Sequence, residues 1–442
     1  MRHINSNKAF LSYIIMGFNQ IRAGQIVKGL IYFAIEIIFV VFMATKGIEA
    51  LVGLTTLGVN EQGMVFNEAT GIFERIDGDN SMLMLLGGVV AALLVILFVV
   101  IYAVSIIDGN RVMALKLDGK KVPGIRDDIR ALTNENIHKL LLLIPFLGLL
   151  IFTVMPLTYM ILMAFTNYDV NHQPPGNLFG WIGLENFKLL LGSTNNLAKT
   201  FWPVLGWTLV WAFFATFSNY ILGIMLAILI NRKGIKYKKL WRTVFVMSIA
   251  IPSFVCLLIL RTMLNQSGII NTMLINMGFI SGPLPFLTNV TWARVTVIVA
   301  NLWIGVPVTM LIATGIITNI PSDLYESARI DGANKFVIFF KITMPYMIFV
   351  TTPYLISNFI ANVNNFNPIY FLTGGGPSTL EYFKGAGKTD LLVTWLYKMT
   401  TDSFDYCYAA AIGIVIFVIS ATFSIIWYSR SNAFKSEEGF QL

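Results

Sequence analysis

The stretch of this 442-residue chain that most invites a chemical reading is GAGKTD, residues 385–390. Glycines followed by Lys-Thr can turn backbone N–H groups and an ammonium toward a phosphate. That cradle needs a further glycine five residues before Gly387, and Tyr382 stands there. A polar loop is the better reading, and no full nucleotide-binding loop occurs elsewhere. The other reactive side chains are scattered. His3, His138 and His172 do not cluster, and Cys256 and Cys407 lie in or beside apolar runs with neither metal spacing nor a disulfide framework. A membrane enzyme would need a convergent set of acids, histidines or nucleophiles, and none is visible. A different kind of segment is ESARIDGANKFVIFFKITMP, residues 326–345, with acids, bases, a central glycine and a terminal proline between two apolar runs. Its composition suits a surface that another protein grips.

The elements that position these segments belong in a bilayer. The chain is 56% hydrophobic and 12% charged, whereas soluble domains carry about 25% charge. A span needs about 20 mostly apolar residues, which predicts an all-α polytopic membrane protein with about eight transmembrane helices. They are expected near 27–45, 82–107, 140–166, 203–230, 243–264, 295–318, 346–363 and 407–428. Glu36 in the first would cost about 2.5–3.5 kcal/mol at mid-membrane. A glutamate facing neighbouring helices or water is favoured over a proton relay. The core spans carry almost no acids, which disfavours an ion-coupled secondary transporter. The apolar stretch AFLSYIIMGF is short and lacks a small-residue cleavage site, so no cleaved signal peptide is expected.

Basic residues orient the spans. The net charge of +8 gathers at the N-terminus, in the loop holding Arg111 to Lys139, and in NRKGIKYKKLWR, residues 231–242. The loop after span one is acidic instead, with Glu49, Glu61, Glu68, Glu74, Asp77 and Asp79. Basic loops stay in the cytoplasm, so both termini are expected there. Residues 319–345 are then cytoplasmic and 364–406 external, and the charge does not speak for nucleic acid. Residues 8–26 read as a segment lying on the inner leaflet or as a short re-entrant helix.

IPSDLYESARIDGANKFVIFFKITMP, residues 320–345, parses as two short helices about a turn. Ser322 can cap the first, Asp323 suits its dipole, and Leu324 and Ala328 recur at i and i+4. Asp331-Gly332 is a turn signal. Phe336, Phe339, Phe340 and Thr343 share a face of the second helix, an aromatic stripe to lie against the membrane helices, and Pro345 marks the next span. The elbow would present small residues outward.

Here the sequence resembles the permeases of bacterial ABC importers. Glu326, Ser327, Ala328, Gly332, Ile342 and Pro345 stand where that family has Glu-Ala-Ala, Gly, Ile and Leu-Pro at the same spacing, with Ser327 and Met344 as conservative departures. In that family the segment is the coupling helix that docks into the ATPase subunit. LNQSGIIN, NLWIGVP, VNNF and TGGGP further resemble the larger permease of maltose/maltodextrin-type importers, over roughly 130–430. The resemblance implies a type I ABC importer transmembrane fold. Residues 1–138 would hold the N-terminal segment, two extra spans and a basic loop; 139–430 a six-helix core with the coupling loop at 319–345; and 431–442 a cytoplasmic tail.

It further implies a sugar site at Asn301, Gly305, Asn362 and Asn365. Asparagine offers hydroxyls both donor and acceptor, and glycine lets a ring approach the backbone. Inter-helix bonding is the competing role for such asparagines. The family's stacking aromatics appear here as Val308 and Ala361, so stacking would come from Trp303, Phe366 or Tyr370. The implied partners are a second homologous permease, two ABC ATPase subunits carrying ATP and Mg, and an extracellular, lipid-anchored sugar-binding protein that faces the 385–390 loop. The chain itself would bind no cofactor. Maltodextrin is the leading substrate; another oligosaccharide remains open.

Overall fold

The structure, a computed structural model, describes residues 13–67, 71–232 and 234–430. The expected tail at 431–442 and the first part of the 8–26 segment lie outside them. By packing, the chain divides into two compact units, Met1–Gly183 and Leu184–Leu442. The boundary expected at 138/139 followed relatedness; packing groups the third span with the first two, because its end lies against the long helix of that unit.

The first unit holds a short helix, α1 (Phe18–Ala23). Helix α2 (Ile26–Phe42) continues through a π turn at Met43–Gly47 into α3 (Ile48–Thr56) as one apolar rod. Strands β1 (Gly63–Asn67) and β2 (Ile72–Ile76) form an antiparallel hairpin. Helix α4 (Ser81–Leu117) has 37 residues, capped by Asn80, whose side chain accepts from the Met82 and Leu83 N–H groups. At 1.5 Å per residue it is about 55 Å long and must outrun a hydrocarbon core of about 30 Å. Then come α5 (Ile125–Thr133), α6 (Ile137–Leu149), a π turn at Leu150–Val154 and α7 (Met155–Met163).

The described part of the N-terminal segment is pinned to its neighbours rather than resting on lipid alone. Gln20 is 1% exposed and donates to the Ser105 carbonyl at 2.8 Å, while Asn19 donates to Asn110 at 3.1 Å. Gly17 and Gly29 meet backbone to backbone, where any Cβ would collide. Glu36 Oε2 accepts from the Met16 N–H at 2.8 Å, so its carboxylate serves this joint.

The second unit holds α8 (Glu185–Leu191), α9 (Asn196–Asn231), α10 (Lys238–Ala250), α11 (Ser253–Met263), α12 (Ile269–Asn276) and α13 (Val290–Asn319). Helix α14 (Ser322–Ile330) precedes α15 (Lys335–Ile338), a π turn at Phe339–Thr343, α16 (Met344–Val363) and α17 (Phe366–Leu372). The last described elements are α18 (Leu392–Thr401) and α19 (Tyr406–Arg430). The single span expected at 243–264 is instead broken: α10 and α11 meet at 87° at Ile251-Pro252, where proline removes a backbone donor and disfavours helix at the residue before it.

Helix α9 is the axis of this unit. Lipid tails are as apolar as leucine, so close fit and polar pairs, rather than expulsion from water, must hold such helices together. Gly223 lets the Thr309 region of α13 approach α9, and Gly305 does the same for Asn219. Two apolar clusters flank this seam, one around Trp207, Trp211, Val297 and Ile369, the other around Tyr220, Ile224, Met310 and Met347. The pairings Trp207 with Arg294, Asn219 with Gly305, Gly223 with Thr309 and Asn231 with Thr314 show that α9 and α13 run parallel. Those of Thr216 with Asn362 and Tyr220 with Thr351 show that α16 runs the other way. Between Asn231 and Val290 the chain must therefore return to its starting end, and the bent α10–α11 pair makes that return. It counts as a span, which brings the seven other candidate spans among the described residues to eight.

Candidate functional site

A buried polar seam follows the junction of α9, α13 and α16. Asn362, 6% exposed, donates from Nδ2 to Thr216 Oγ1 at 3.0 Å, and its backbone carbonyl accepts from Trp211 Nε1 at 3.1 Å. Asn365 donates to Asn362 Oδ1 at 3.4 Å. Asn301, Gly305 and Thr309 recur every four residues on the face of α13 turned to α9. A Cβ at Gly305 would fall into the Asn219 amide. Asn219 donates to the Ala215 carbonyl at 2.7 Å, but its Oδ1 is buried with no partner. The Nδ2 of Asn301, in a side chain 4% exposed, is likewise buried without one. The seam thus holds one free donor and one free acceptor. A free buried amide group costs about 1–3 kcal/mol, and a ligand rich in hydroxyls could relieve both.

The expected elbow is present, with a different second arm. Ser322 does not cap α14: it is the first helical residue after Pro321, and its hydroxyl bonds Asp323 at 3.2 Å. Gly332 turns the chain at φ +78°, and the Ala333 N–H closes the turn on the Ala328 carbonyl at 2.9 Å. Asn334 caps the next helix through the Val337 N–H. That helix is no separate arm but runs through the π turn into α16. Pro345 lies in the first turn of α16, just past the π turn, as Pro156 does in α7. A π turn loosens the helical ladder where proline can neither donate to it nor fit its standard turn. Glu326, Ser327 and Gly332 are exposed, and Ala328 and Ile342 half-buried. The aromatic stripe does not lie flat on the bundle. Phe339 packs against it, but Phe336 is 76% and Phe340 63% exposed, with Ile330 at 86% beside them. Tyr325 OH lies 3.2 Å from Thr343 Oγ1, tying the elbow to the base of α16.

The GAGKTD loop is an internal clamp. The Gly387 N–H, which a phosphate would need, donates to Asp390 Oδ2 at 2.6 Å. Backbone oxygens face outward from it: Thr389 O accepts from Trp207, and Lys388 O from Arg294 at 2.9 Å. Asp390 is fully buried and paired with Lys398 at 2.7 Å, so this end of the loop is core rather than a docking face. Burial pushes the Asp390 carboxyl above its ordinary range, and Lys398 pulls it back in part. Trp303 also leaves the site, because it lies on the far face of α13 from Asn301. There it lines an apolar groove of about 940 Å³ with Cys256, Leu260 and Val299.

Comparison with known proteins decides the family. Residues 219–432 match the model of the binding-protein-dependent transport system inner membrane component. The maltodextrin transport system permease protein MalC of Streptococcus pneumoniae is 34% identical over 441 residues, 98% of this chain and 97% of that one. The chain belongs to this family of transport permeases. The galactooligosaccharides transport system permease protein GanP of Bacillus subtilis is 32% identical, covering 97% of this chain and 98% of its own. A solved bacterial ABC transporter involved in import of the acidic polysaccharide alginate aligns at TM-score 0.54 and 24% identity, over 69% of this chain and 97% of that one. It shows the ABC-importer transmembrane fold.

Within the permease, the four residues expected to bind substrate fall along one seam. The reading from sequence missed Asn219 and Thr216, which face them. Their signal was the polar run Thr216, Ser218 and Asn219 in a mostly apolar span.

Proposed function

We propose that this chain is a permease subunit of an ATP-driven, binding-protein-dependent oligosaccharide importer, with maltodextrins as its preferred cargo. The observation that carries the reading is the elbow: a helix and glycine turn with Ile330, Phe336 and Phe340 bare, joined without a break to the helix that carries Asn362. A lever of that build suits docking into an ATPase subunit through Glu326, Ser327, Ala328, Gly332, Ile342 and Pro345. The nearly full-length likeness to a maltodextrin permease supports the cargo. Asn301, Gly305, Asn362 and Asn365 are the proposed sugar contacts.

Hydrolysis of ATP with Mg belongs to two partner ATPase subunits, and a second homologous permease completes the path. An extracellular, lipid-anchored binding protein delivers the sugar, and both termini face the cytoplasm. ATP closes the ATPase pair, the elbows move, and a path open to one side opens to the other. The ligands shift populations between those two states. The buried acids described in the second unit, Asp390 and Asp405, are each paired with a lysine outside the spans, which speaks against ion coupling. The likeness to GanP favours a second reading, a galactooligosaccharide cargo.

The test is ATP hydrolysis by the reconstituted complex with each candidate binding protein and sugar. Stimulation by maltodextrins supports the first reading and stimulation by galactooligosaccharides the second. Stimulation by no sugar rejects both.

A further inference from the structure

We propose that Phe366, Tyr370 and Tyr397 form a stacking platform for one sugar ring at the end of the asparagine seam, an outer subsite for longer oligosaccharides. The proposal rests on the import reading above.

The chain itself joins the two places. Helix α16 stops at Asn364-Asn365, where Asn365 leaves helical geometry at ψ 94° and still reaches back to Asn362. Phe366 follows at once. One turn on, the Tyr370 ring stacks on Phe366 at 4.5 Å and 26°. Tyr397, from α18, stands edge-on to both, at 5.0 and 5.4 Å. Tyr370 beside it pushes the Tyr397 phenol above its usual value.

Phe371, packed on the core, meets Phe366 and Tyr370 edge-on at 6.4 and 5.3 Å, which leaves their other sides to explain. Helix α17 is already anchored by Ile369 and Leu372, both fully buried against α9 and α13. Phe366 and Tyr370 occupy another face of that short helix and are only half-buried, and Tyr397 is 39% exposed. Fully packed rings of the same unit, such as Trp211 and Trp395, are 0% exposed. The platform rings therefore keep free area beside exposed amides at Asn364 and Asn367.

A pyranose presents a C–H face framed by hydroxyls. It asks for a flat apolar surface with donors and acceptors at the rim. Tyrosine supplies both from one side chain at small entropic cost. The seam offers amides without rings, and the platform offers rings with hydroxyls. In this proposal an oligosaccharide of several residues occupies both, and a disaccharide occupies the seam alone.

The experiment uses the full complex in liposomes. Its probes are labelled maltotetraose and β-1,4-galactotetraose, with maltose and galactobiose as their short counterparts. Tyr370→Leu and Tyr397→Leu should raise KM for the tetrasaccharide that the wild type imports by about two- to tenfold, the range of an aromatic contact. KM for its disaccharide should hold, and Tyr370→Phe should restore the stacking. Trp303→Leu, on the far face of α13, is the control that changes neither. Unchanged KM for the tetrasaccharide overturns the platform. So does an equal rise for both lengths, or one that tracks a lower melting temperature, since those mark a packing role. A wild-type complex that imports none of the four sugars removes the import reading and the platform with it.

Discussion

Asn301 and Asn362 look alike in sequence, yet their surroundings set them different tasks. Asn362 spends its amide on Thr216, a bond between helices worth about 0.6 kcal/mol on average in a bilayer. The Asn301 Nδ2 has no partner. Asn301→Ala should therefore leave the assembled complex as stable as before and weaken sugar transport by up to about tenfold, the worth of one neutral hydrogen bond. Asn362→Ala should lower both. Paired uptake and thermal-melt measurements separate the two, and a melting loss at Asn301 would mark it as helix glue. Lys398→Met poses a second test at this scale. It strands Asp390 unpaired in the core, and breaking a buried pair costs about 3–5 kcal/mol. The yield of folded protein should fall steeply, and Asp390→Asn in the same chain should restore part of it.

At the scale of elements, the elbow and α16 act as one piece, because α15, the π turn and α16 are continuous. On the proposed lever, a push on the exposed turn would reach Asn362 through helix rather than through loop. Gly332, at φ +78°, is the hinge of that piece. Proline cannot adopt a positive φ, so Gly332→Pro should abolish uptake and the sugar stimulation of ATP hydrolysis while membrane insertion persists. Normal transport in that variant would remove the lever. The bent α10–α11 pair walls the apolar groove beside Trp303 on α13.

For the whole molecule, the question is which end faces which compartment. Parallel α9 and α13 with antiparallel α16 require an alternating passage in the second unit, with the bent pair as a crossing. That geometry does not say which end is inside; the basic loops carry only the expectation that both termini are cytoplasmic. A cysteine at Lys120 should resist an impermeant thiol reagent in intact cells, and one at Asp77 should react. The reverse pattern would invert the topology and place the elbow outside, away from ATP.

The number of spans, their rough bounds and the elbow were legible in the sequence because they depend on local rules. A helix in lipid satisfies its own backbone, so apolar length alone marks it. A positive-φ turn admits few residues, so Gly332 announces itself. What belongs to tertiary structure is the pairing. Asn219 became part of the seam only when Gly305 let α9 close on α13. Trp303 left it because the twist of one helix turned its ring to the far side. Ser322 lost its capping role to the path of the chain at Pro321, and GAGKTD became a clamp because Asp390 took the Gly387 N–H. Side-chain type says what a group can do. Which partner lies within about 3 Å depends on helices that are distant in sequence.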